Sequence, residues 1–435
     1  MAVPSSERPI RLLLTDGSLE RSRLTVFFRL ILVIPHVIWL VLWGIATFFV
    51  SFVLWLAVLI NREAPRSLHD FVAGYLRYAT HVGAYILLAA DPYPGFRGRP
   101  GYPVDLEIDP PVEQSRWSGF FRLFLALPAL ILAAALGGGL AFSSPGGASS
   151  ATTEENAIYV ATIGGVASIV AFFAWFAILA RGREPRGFRD LTAFALSYSA
   201  QAWGYLLLLT PRYPTSDPAL AEPWSGLPEH PVRIAVTGGL EHSRLTVFFR
   251  LLLAIPHLIW LLLWGVAVFF ALVAAWFAAL VTGRVPMALH RFLAAYLRYG
   301  VHVSAYVYLV GRRFPGFTGR AGSYDVDPEI DPPAPQNRWK TLFRFFLAVP
   351  ALFVAGALGG VLLVVAFFGW WYALVTGRMP EGFRNLGASC LRYSTQTYAY
   401  FLLLTDRYPY ASPILHGRRE DVVEEIAAPP LGDAL

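Results

Sequence analysis

The stretch that decides the fold is SRLTVFFRLILVIPHVIWLVLWG at residues 22–44, together with VAGYLRYATHVGAY at residues 72–85. Its pattern is an FFR or LFR, a proline, a long apolar segment, a short arginine loop and a tyrosine-rich helix. This pattern occurs four times, and the later copies begin at Ser115, Ser243 and Asn337. Because a repeated supersecondary unit sets the architecture, we predict a fold of four quasi-repeats.

The repeats group two by two along the chain. His36 matches His257 and Arg77 matches Arg298 at one common offset, so repeats 1 and 3 are of one type and repeats 2 and 4 of another. We therefore expect a duplicated pair of units. The predicted boundaries are 1–97 for repeat 1, 98–217 for repeat 2, 218–320 for repeat 3, 321–412 for repeat 4, and 413–435 for a polar tail.

The composition predicts a membrane protein. Of the 435 residues, 56% are hydrophobic and only 15% are charged, whereas about a quarter of residues are charged in soluble domains. Lys340 is the only lysine, and the arginines that give the net charge of +6 flank apolar segments instead of forming runs. That pattern indicates membrane topology and argues against nucleic-acid binding. We expect a multi-pass protein of the cell inner (plasma) membrane, without a cleaved targeting sequence.

The long apolar segments determine the predicted number of membrane spans. Residues 30–61 contain no Lys, Arg, Asp or Glu, which is long for a single span of about 20 residues. Repeat 2 interrupts its segment with an insertion at about 138–164, whose polar residues must reach water. We therefore predict two short spans per repeat, about eight in all. The predicted turns lie at Gly44, Gly265 and Gly359, and the predicted kinks at Pro35, Pro128, Pro256 and Pro350.

A competing interpretation also gives eight spans. In it, each apolar segment is one long kinked helix that crosses once, and the tyrosine-rich helix crosses back.

The insertion carries Glu154 and Glu155 but no Lys or Arg. The positive-inside rule therefore places both termini and the arginine loops in the cytoplasm.

Four short alternating runs are predicted to form strands on the cytoplasmic side and to pair there. Three are bounded by proline, and two are followed by Asp-Pro-Pro, which ends a strand. The runs are residues 9–14, 103–108, 231–236 and 324–330.

The tyrosine-rich helix has a polar stripe, because Asp70, Arg77 and His81 recur at helical spacing. One interpretation is a helix in the membrane interface with its stripe toward water and headgroups. The other is a spanning helix whose stripe lines the bundle interior, where an arginine is a candidate functional residue. The candidate lipid- or partner-contact residues are Asp70, Arg77, His81, Gln201, Arg298, His302, Arg392 and Gln396.

The sequence carries no recognisable catalytic or metal motif. His69 and His81 are twelve residues apart and point about 120° away from each other on a helix. No HExxH, nucleophile motif or phosphate loop accompanies them. We therefore expect no metal, no cofactor and no enzymatic activity.

The chain resembles a known family through FFRLILVIPHVIWL, the Thr-Gly-Arg-x-Pro loops at 282–286 and 376–380, and LRYSTQTYAYFLLLTDRYPY at 391–410. These motifs are similar to those of the bacterial membrane family catalogued as domain of unknown function 4389. All four repeats match over most of residues 8–412, and repeat 2 departs through its insertion and through Ser197 in place of the arginine. The resemblance implies an integral membrane protein and supplies no catalytic residues.

Three functional hypotheses follow from these observations. The first is a non-catalytic membrane scaffold that contacts anionic lipid or a membrane protein partner. The alternative is a small-solute transporter or channel, because such proteins often arise by internal duplication. The third is a lipid-modifying enzyme, which would need a base and a nucleophile that the motifs do not provide.

Overall fold

The computed structural model describes residues 8–15, 18–137, 165–220, 228 and 230–415. The chain forms two compact units, an N-terminal unit of mainly Met1–Ser216 and a C-terminal unit of mainly Gly226–Tyr410. Each unit contains one pair of repeats, as the duplicated pattern predicts. The insertion of repeat 2 lies outside the described residues.

The N-terminal unit contains two strands and seven helices among its described residues. They are β1 (Ile10–Leu14), α1 (Arg23–Leu32), α2 (Ile34–Asn61), α3 (Arg66–Ile86), β2 (Val104–Ile108), α4 (Arg116–Phe120), α5 (Arg122–Gly137), α6 (Val166–Arg181) and α7 (Arg186–Leu206).

The C-terminal unit repeats this order, with longer continuous helices. Its elements are β3 (Val232–Val236), α8 (Arg244–Thr282), α9 (Met287–Val307), β4 (Val326–Ile330), α10 (Arg338–Leu342), α11 (Arg344–Thr376) and α12 (Glu381–Phe401). We call α3, α7, α9 and α12 the tyrosine helices.

The prediction of two short spans joined by a glycine turn is wrong for repeats 1, 3 and 4. The helices α2, α8 and α11 run without a break through Gly44, Gly265 and Gly359. A glycine inside a helix costs only about 1 kcal/mol relative to alanine, whereas a turn in an apolar environment leaves several backbone groups without partners. A continuous helix is therefore the better solution for these segments.

The described residues contain three helices that are long and apolar enough to cross a membrane, so about eight spans are not supported. These helices are α2, α8 and α11, with mean hydropathies of 2.4, 2.6 and 2.6. At 1.5 Å per residue, the 28 residues of α2 extend roughly 42 Å, which exceeds the roughly 30 Å of a hydrocarbon core. In repeat 2, α5 and α6 have 16 residues each and flank the undescribed insertion.

The four predicted strands are present and pair, which confirms that part of the prediction. Strands β1 and β2 are antiparallel with Leu12 opposite Leu106, and β3 and β4 are antiparallel with Ile234 opposite Pro328. Within each unit, one strand precedes the first repeat and its partner precedes the second. The two-stranded ribbon therefore ties the two repeats of a unit together.

The two repeats of a unit also exchange contacts reciprocally. Trp55 of repeat 1 donates its indole N–H to Gly119 O of repeat 2 at 3.0 Å, and Trp175 of repeat 2 donates to Val26 O of repeat 1 at 3.2 Å. The C-terminal unit has the same pair of contacts, Trp276 to Thr341 O and Trp370 to Val247 O, each at 2.9 Å. This reciprocity indicates that each unit is an internal pseudo-dimer of two repeats.

The tyrosine helices are the buried centre of each unit and not its edge. Helix α3 packs against α2, α7 and β2, and the side chains of Tyr78 and Tyr85 are fully buried. The interpretation of the polar stripe as turned toward headgroups is therefore wrong for its buried members, such as His81. Strand β2 covers this stripe at Arg77 and His81, whereas Asp70 near the start of α3 stays exposed.

Candidate functional site

Two residues after the end of each tyrosine helix, a leucine has a left-handed backbone, and the polar contacts begin at this turn. Leu88 has a φ of +67°, and the corresponding leucines are Leu208 at +61°, Leu309 at +62° and Leu403 at +62°. A left-handed backbone costs a residue other than glycine about 1–2 kcal/mol. Other contacts must therefore hold this turn in all four repeats.

The arginine of the FFR motif supplies those contacts in repeat 1. Arg29 is buried and donates from Nη1 to Tyr85 O at 2.7 Å and to Ala90 O at 3.0 Å. Its Nη2 donates to Asp91 Oδ1 at 2.6 Å. Its guanidinium also lies over the Tyr85 ring, 4.4 Å from the centroid. Charged hydrogen bonds of this kind are among the stronger ones in proteins, so Arg29 fixes the end of the helix.

The other three repeats contain the same buried arginine at the same place. Arg122 donates to Thr210 O and Gln114 Oε1, Arg250 to Tyr306 O and Gly311 O, and Arg344 to Tyr400 O, Thr405 O and Asp406 Oδ1. Each guanidinium lies 4.1–4.5 Å from the centroid of a tyrosine ring.

Sequence reasoning did not assign a role to these four arginines. The available signal was that each is the charged residue at the end of an FFR or LFR, next to a long apolar run. A charge there must be either exposed or paired. The carbonyl partners of Arg29, however, lie 56 and 61 residues later in the chain, so the pattern could not identify them.

The polar stripe of repeat 1 meets the strand β2. His81 Nε2 lies 2.8 Å from Asp105 Oδ1, and Arg77 Nε donates to Leu106 O at 2.8 Å. Asp105 also accepts the backbone N–H of Gly101 at 2.8 Å. Burial lowers the pKa of His81, although Asp105 opposes that change.

The carboxylate of this cluster stays charged at neutral pH. Burial by itself raises the pKa of Asp105, but hydrogen bonds from Gly101 N–H, His81 and Leu106 N–H outweigh it and hold the pKa below its usual value. Neutral His81 therefore donates its Nε2 proton to a carboxylate that is already fixed by backbone. This arrangement docks the strand onto the helix.

Repeat 3 has the same arrangement. His302 Nε2 lies 2.7 Å from Asp327 Oδ1, and Arg298 Nε donates to Pro328 O at 3.2 Å. The interaction of an arginine, a histidine and an aspartate is therefore duplicated in the two units.

Glutamine replaces the histidine in repeats 2 and 4. Gln396 donates to Val232 O at 3.0 Å and accepts from Tyr410 N at 3.1 Å. Gln201 accepts from Thr215 N at 3.2 Å. Arg392 beside Gln396 is buried, and burial lowers its pKa to about 10.

The eight predicted stripe residues divide by exposure. Asp70 is exposed, Arg77, Gln201 and Arg298 are half-buried, and the other four are buried within the protein. The buried four are His81, His302, Arg392 and Gln396. These four face protein groups, so a lipid contact remains a prediction only for the residues that reach the surface.

One groove gathers part of the stripe at the surface of the N-terminal unit. It has a volume of about 190 Å³. Its lining side chains include Arg66, His69, Asp70, Arg77 and Asp109. In the part of the chain that the structure describes, no three His, Cys, Asp or Glu side chains are grouped so that they could hold a metal ion.

The fold and its surface define a helical repeat protein with apolar helices of membrane-spanning length. The family model described as Domain of unknown function (DUF4389) matches residues 23–97, 157–216, 244–318 and 338–412, more than half of the chain. The chain belongs to this family, in four tandem copies, and the resemblance noted from the motifs is confirmed. No curated protein and no solved structure matches the chain.

Proposed function

We propose that this protein is a non-catalytic scaffold of the bacterial inner membrane, with cytoplasmic termini and a surface that contacts anionic lipid. The observation that supports the proposal is how the polar groups are used. The buried arginines of the FFR and LFR motifs, and the buried histidines and glutamine of the tyrosine helices, bind backbone or neighbouring side chains of the same unit. Side chains that are occupied in this way stabilise a structure and are not available to a substrate.

The exposed surface of the long helices supports membrane insertion. Phe48, near the middle of α2, is 71% exposed, and Phe270 of α8 is 67% exposed. Contiguous apolar surface of this kind is unfavourable in water and suits a lipid environment.

Exposed arginines near the ends of the long helices support the lipid contact. Arg23 and Arg116 precede the long segments, while Arg62 and Arg284 follow α2 and α8, and all four are exposed. A basic residue near an anionic leaflet gains about 1 kcal/mol. We therefore assign the proposed lipid contact to these arginines and not to the buried part of the stripe.

A reconstitution experiment tests the proposal against the transporter alternative. The purified full-length protein is placed in liposomes, and the flux of a panel of ions and small solutes is measured. We expect no flux above that of protein-free liposomes. Reproducible flux would replace the scaffold proposal with a transporter built from internal repeats.

Lipid retention tests the second part of the proposal. Replacing Arg23, Arg62, Arg116 and Arg284 together with glutamine should lower the amount of anionic lipid that co-purifies, as measured by mass spectrometry. Glu63→Gln is the matched control, because it changes one exposed charge of opposite sign. Unchanged lipid content in the arginine variant would contradict the lipid contact and favour a protein partner.

A further inference from the structure

The groove beside α3 combines charges of both signs with a buried nitrogen that has no partner. His69 is 2% exposed, and its Nε2 contacts Leu209 O at 3.3 Å, so this nitrogen carries the proton. Its Nδ1 therefore carries a lone pair, has no hydrogen-bond partner, and lies 3.6 Å from Asp70 Oδ1. That distance is too long for a hydrogen bond. His69 and Asp70 thus offer two acceptors to the groove.

The same groove offers donors on two arginines. Arg77 uses its Nε for Leu106 O, which leaves the two terminal nitrogens for a ligand. Among the described residues, Arg66 has no hydrogen-bond or ion-pair partner, and it is exposed. Planar guanidinium groups bind phosphate oxygens in pairs.

The balance of charges decides between classes of ligand. A simple anion would face Asp70 and the lone pair of His69, and a simple cation would face Arg66 and Arg77. Asp109 adds little to this balance, because it is already paired with Arg11 at 2.9 Å. A molecule with a phosphate and a primary ammonium satisfies both sets. The volume of about 190 Å³ corresponds to roughly six water molecules at about 30 Å³ each, which is sufficient for a headgroup of a few heavy atoms.

We propose that this groove binds a phosphoethanolamine group, as a free zwitterion or as a phospholipid headgroup, with the phosphate on Arg66 and Arg77 and the ammonium on Asp70 and His69. This binding site does not rest on the scaffold proposal, because it requires only side chains of the N-terminal unit and no particular role of the whole protein. The corresponding positions of the C-terminal unit carry Met287 for Arg66 and Arg291 for Asp70. That unit keeps His290 at the position of His69, but it lacks the carboxylate for an ammonium group and the arginine at the position of Arg66, so it should not bind.

Ligand comparison tests the chemistry. The full-length protein in detergent is titrated with O-phosphoethanolamine, phosphocholine and inorganic phosphate by calorimetry. Phosphocholine has no N–H to donate to Asp70 or His69, so it should bind about tenfold more weakly than O-phosphoethanolamine. Inorganic phosphate binding as tightly as O-phosphoethanolamine would overturn the zwitterion assignment.

Two exposed variants test the residues without disturbing the core. Asp70→Asn should weaken O-phosphoethanolamine about tenfold and leave inorganic phosphate unchanged or tighter, whereas Arg66→Gln should weaken both ligands. Arg320→Gln, at an exposed arginine of the C-terminal unit, is the matched control and should change neither affinity. Equal affinities in the Asp70→Asn variant and the unmodified protein would overturn the proposal.

Nanodiscs distinguish the two sources of the ligand. If the ligand is a lipid headgroup, phosphatidylethanolamine should raise the melting temperature relative to phosphatidylcholine, and Asp70→Asn should remove the difference. Binding of soluble O-phosphoethanolamine without this lipid effect would assign the site to the free molecule. Absence of both effects would refute the site and leave the flux and lipid-retention results unaffected.

Discussion

The two units are duplicates, yet one contact between their repeats differs. This contact joins the segment before the first helix of a unit to the arginine loop of its second repeat, and we call it the internal junction. In the N-terminal unit, Arg21 Nη2 donates to Glu184 Oε2 at 2.9 Å, and both side chains are buried. At the corresponding positions, the C-terminal unit has His242 and Met379, which are also buried. His242 Nδ1 lies 3.2 Å from Arg250 Nη2, so it accepts a hydrogen bond as a neutral ring.

The backbone around this junction is the same in the two units. Glu184 N donates to Leu19 O at 2.8 Å, and Met379 N donates to Leu240 O at 2.8 Å. The backbone contacts therefore maintain the architecture, and the side chains are free to be charged or neutral. A buried ion pair often adds little net stability over a neutral pair, because desolvation opposes the attraction.

A second position shows the same difference on a smaller scale. In the N-terminal unit, Arg189 Nη2 donates to Asp190 Oδ1 at 2.8 Å, whereas Arg384 Nη2 of the C-terminal unit donates to Asn385 Oδ1 at 3.0 Å. The N-terminal unit thus buries acids where the C-terminal unit buries neutral groups. This difference predicts distinct responses to mutation and to pH.

One native side chain allows both units to be measured separately. Cys390 is the only cysteine and is buried in α12. The corresponding residue of the N-terminal unit is Ala195, which is fully buried in α7. The rate at which a thiol reagent labels Cys390 reports opening of the C-terminal unit. The double change Cys390→Ala and Ala195→Cys moves the same reporter to the N-terminal unit.

The largest effect should come from the feature that the units share. Arg29→Leu or Arg250→Leu removes the donor from at least two buried carbonyl groups, so each should destabilise its own unit by about 3–5 kcal/mol. Thiol labelling should accelerate in the mutated unit. Arg23→Gln, an exposed arginine of α1, is the control and should change stability by less than about 0.5 kcal/mol. A loss below about 1 kcal/mol in either unit would contradict the role of the buried arginine.

The next effect tests the junction itself. At pH 9, where Glu184 is ionised, Glu184→Met leaves Arg21 buried without its carboxylate and should cost about 3 kcal/mol. This is the lower end for unpairing a buried ion, because Arg21 also donates to Leu88 O and Ala89 O. Adding Arg21→His copies the pair of the C-terminal unit and should bring stability back to within about 1 kcal/mol of the unmodified protein. The measurement is the labelling of the cysteine at position 195. If the losses from Glu184→Met and Arg21→His simply add, the histidine and methionine of the C-terminal unit cannot replace the ion pair of the N-terminal unit.

The two junctions should respond to pH in opposite directions. Burial raises the pKa of Glu184 to about 8, against the attraction of Arg21, Arg189 and Arg29. An acid with a raised folded pKa stabilises the folded state while protonated, so the N-terminal unit should lose on the order of 1 kcal/mol as pH rises from 7 to 9. Glu184→Gln should remove this loss. Unchanged pH dependence in that variant would exclude Glu184 as the cause.

The C-terminal unit should lose stability toward acid. Burial lowers the pKa of His242 to about 4, with Arg250 and Arg312 adding to the shift and Asp325 opposing it. A base with a lowered folded pKa stabilises the folded state while neutral. Stability should therefore fall by on the order of 1 kcal/mol as pH decreases from 6.5 to 5. Labelling of Cys390, corrected for the pH dependence of the free thiol, measures the loss, and His242→Gln should reduce it.

Local and periodic signals allowed much of this fold to be predicted from the sequence. The four repeats, the paired strands and the place of the tyrosine helices along the chain all follow from patterns within about 100 residues. Continuity of α2 through Gly44 could not be predicted, because a glycine is compatible with both a turn and a helix interior.

The environment of the polar stripe was not predictable for a different reason. His81 follows a helical pattern that is equally consistent with lipid, water or protein on that face. Its partner Asp105 lies in β2, a strand that precedes the next repeat. The sequence pattern favoured polar packing or headgroup contact over metal binding for His69, and only its contact with Leu209 O identifies the nitrogen that has no partner.

The smallest change in stability is expected for the substitution Asp190→Asn. The Oδ2 atom of Asp190 has no hydrogen-bond partner, and burial raises the pKa of this carboxyl despite the neighbouring arginine. Asparagine keeps the oxygen that accepts from Arg189 and removes a charge that is poorly solvated, as Asn385 does beside Arg384. These gains and losses should nearly cancel, so stability should change by less than about 1 kcal/mol. Labelling of the cysteine at position 195 measures the change. A loss of more than about 2 kcal/mol would show that the N-terminal unit depends on its buried acid, so that the charged and neutral solutions are not interchangeable.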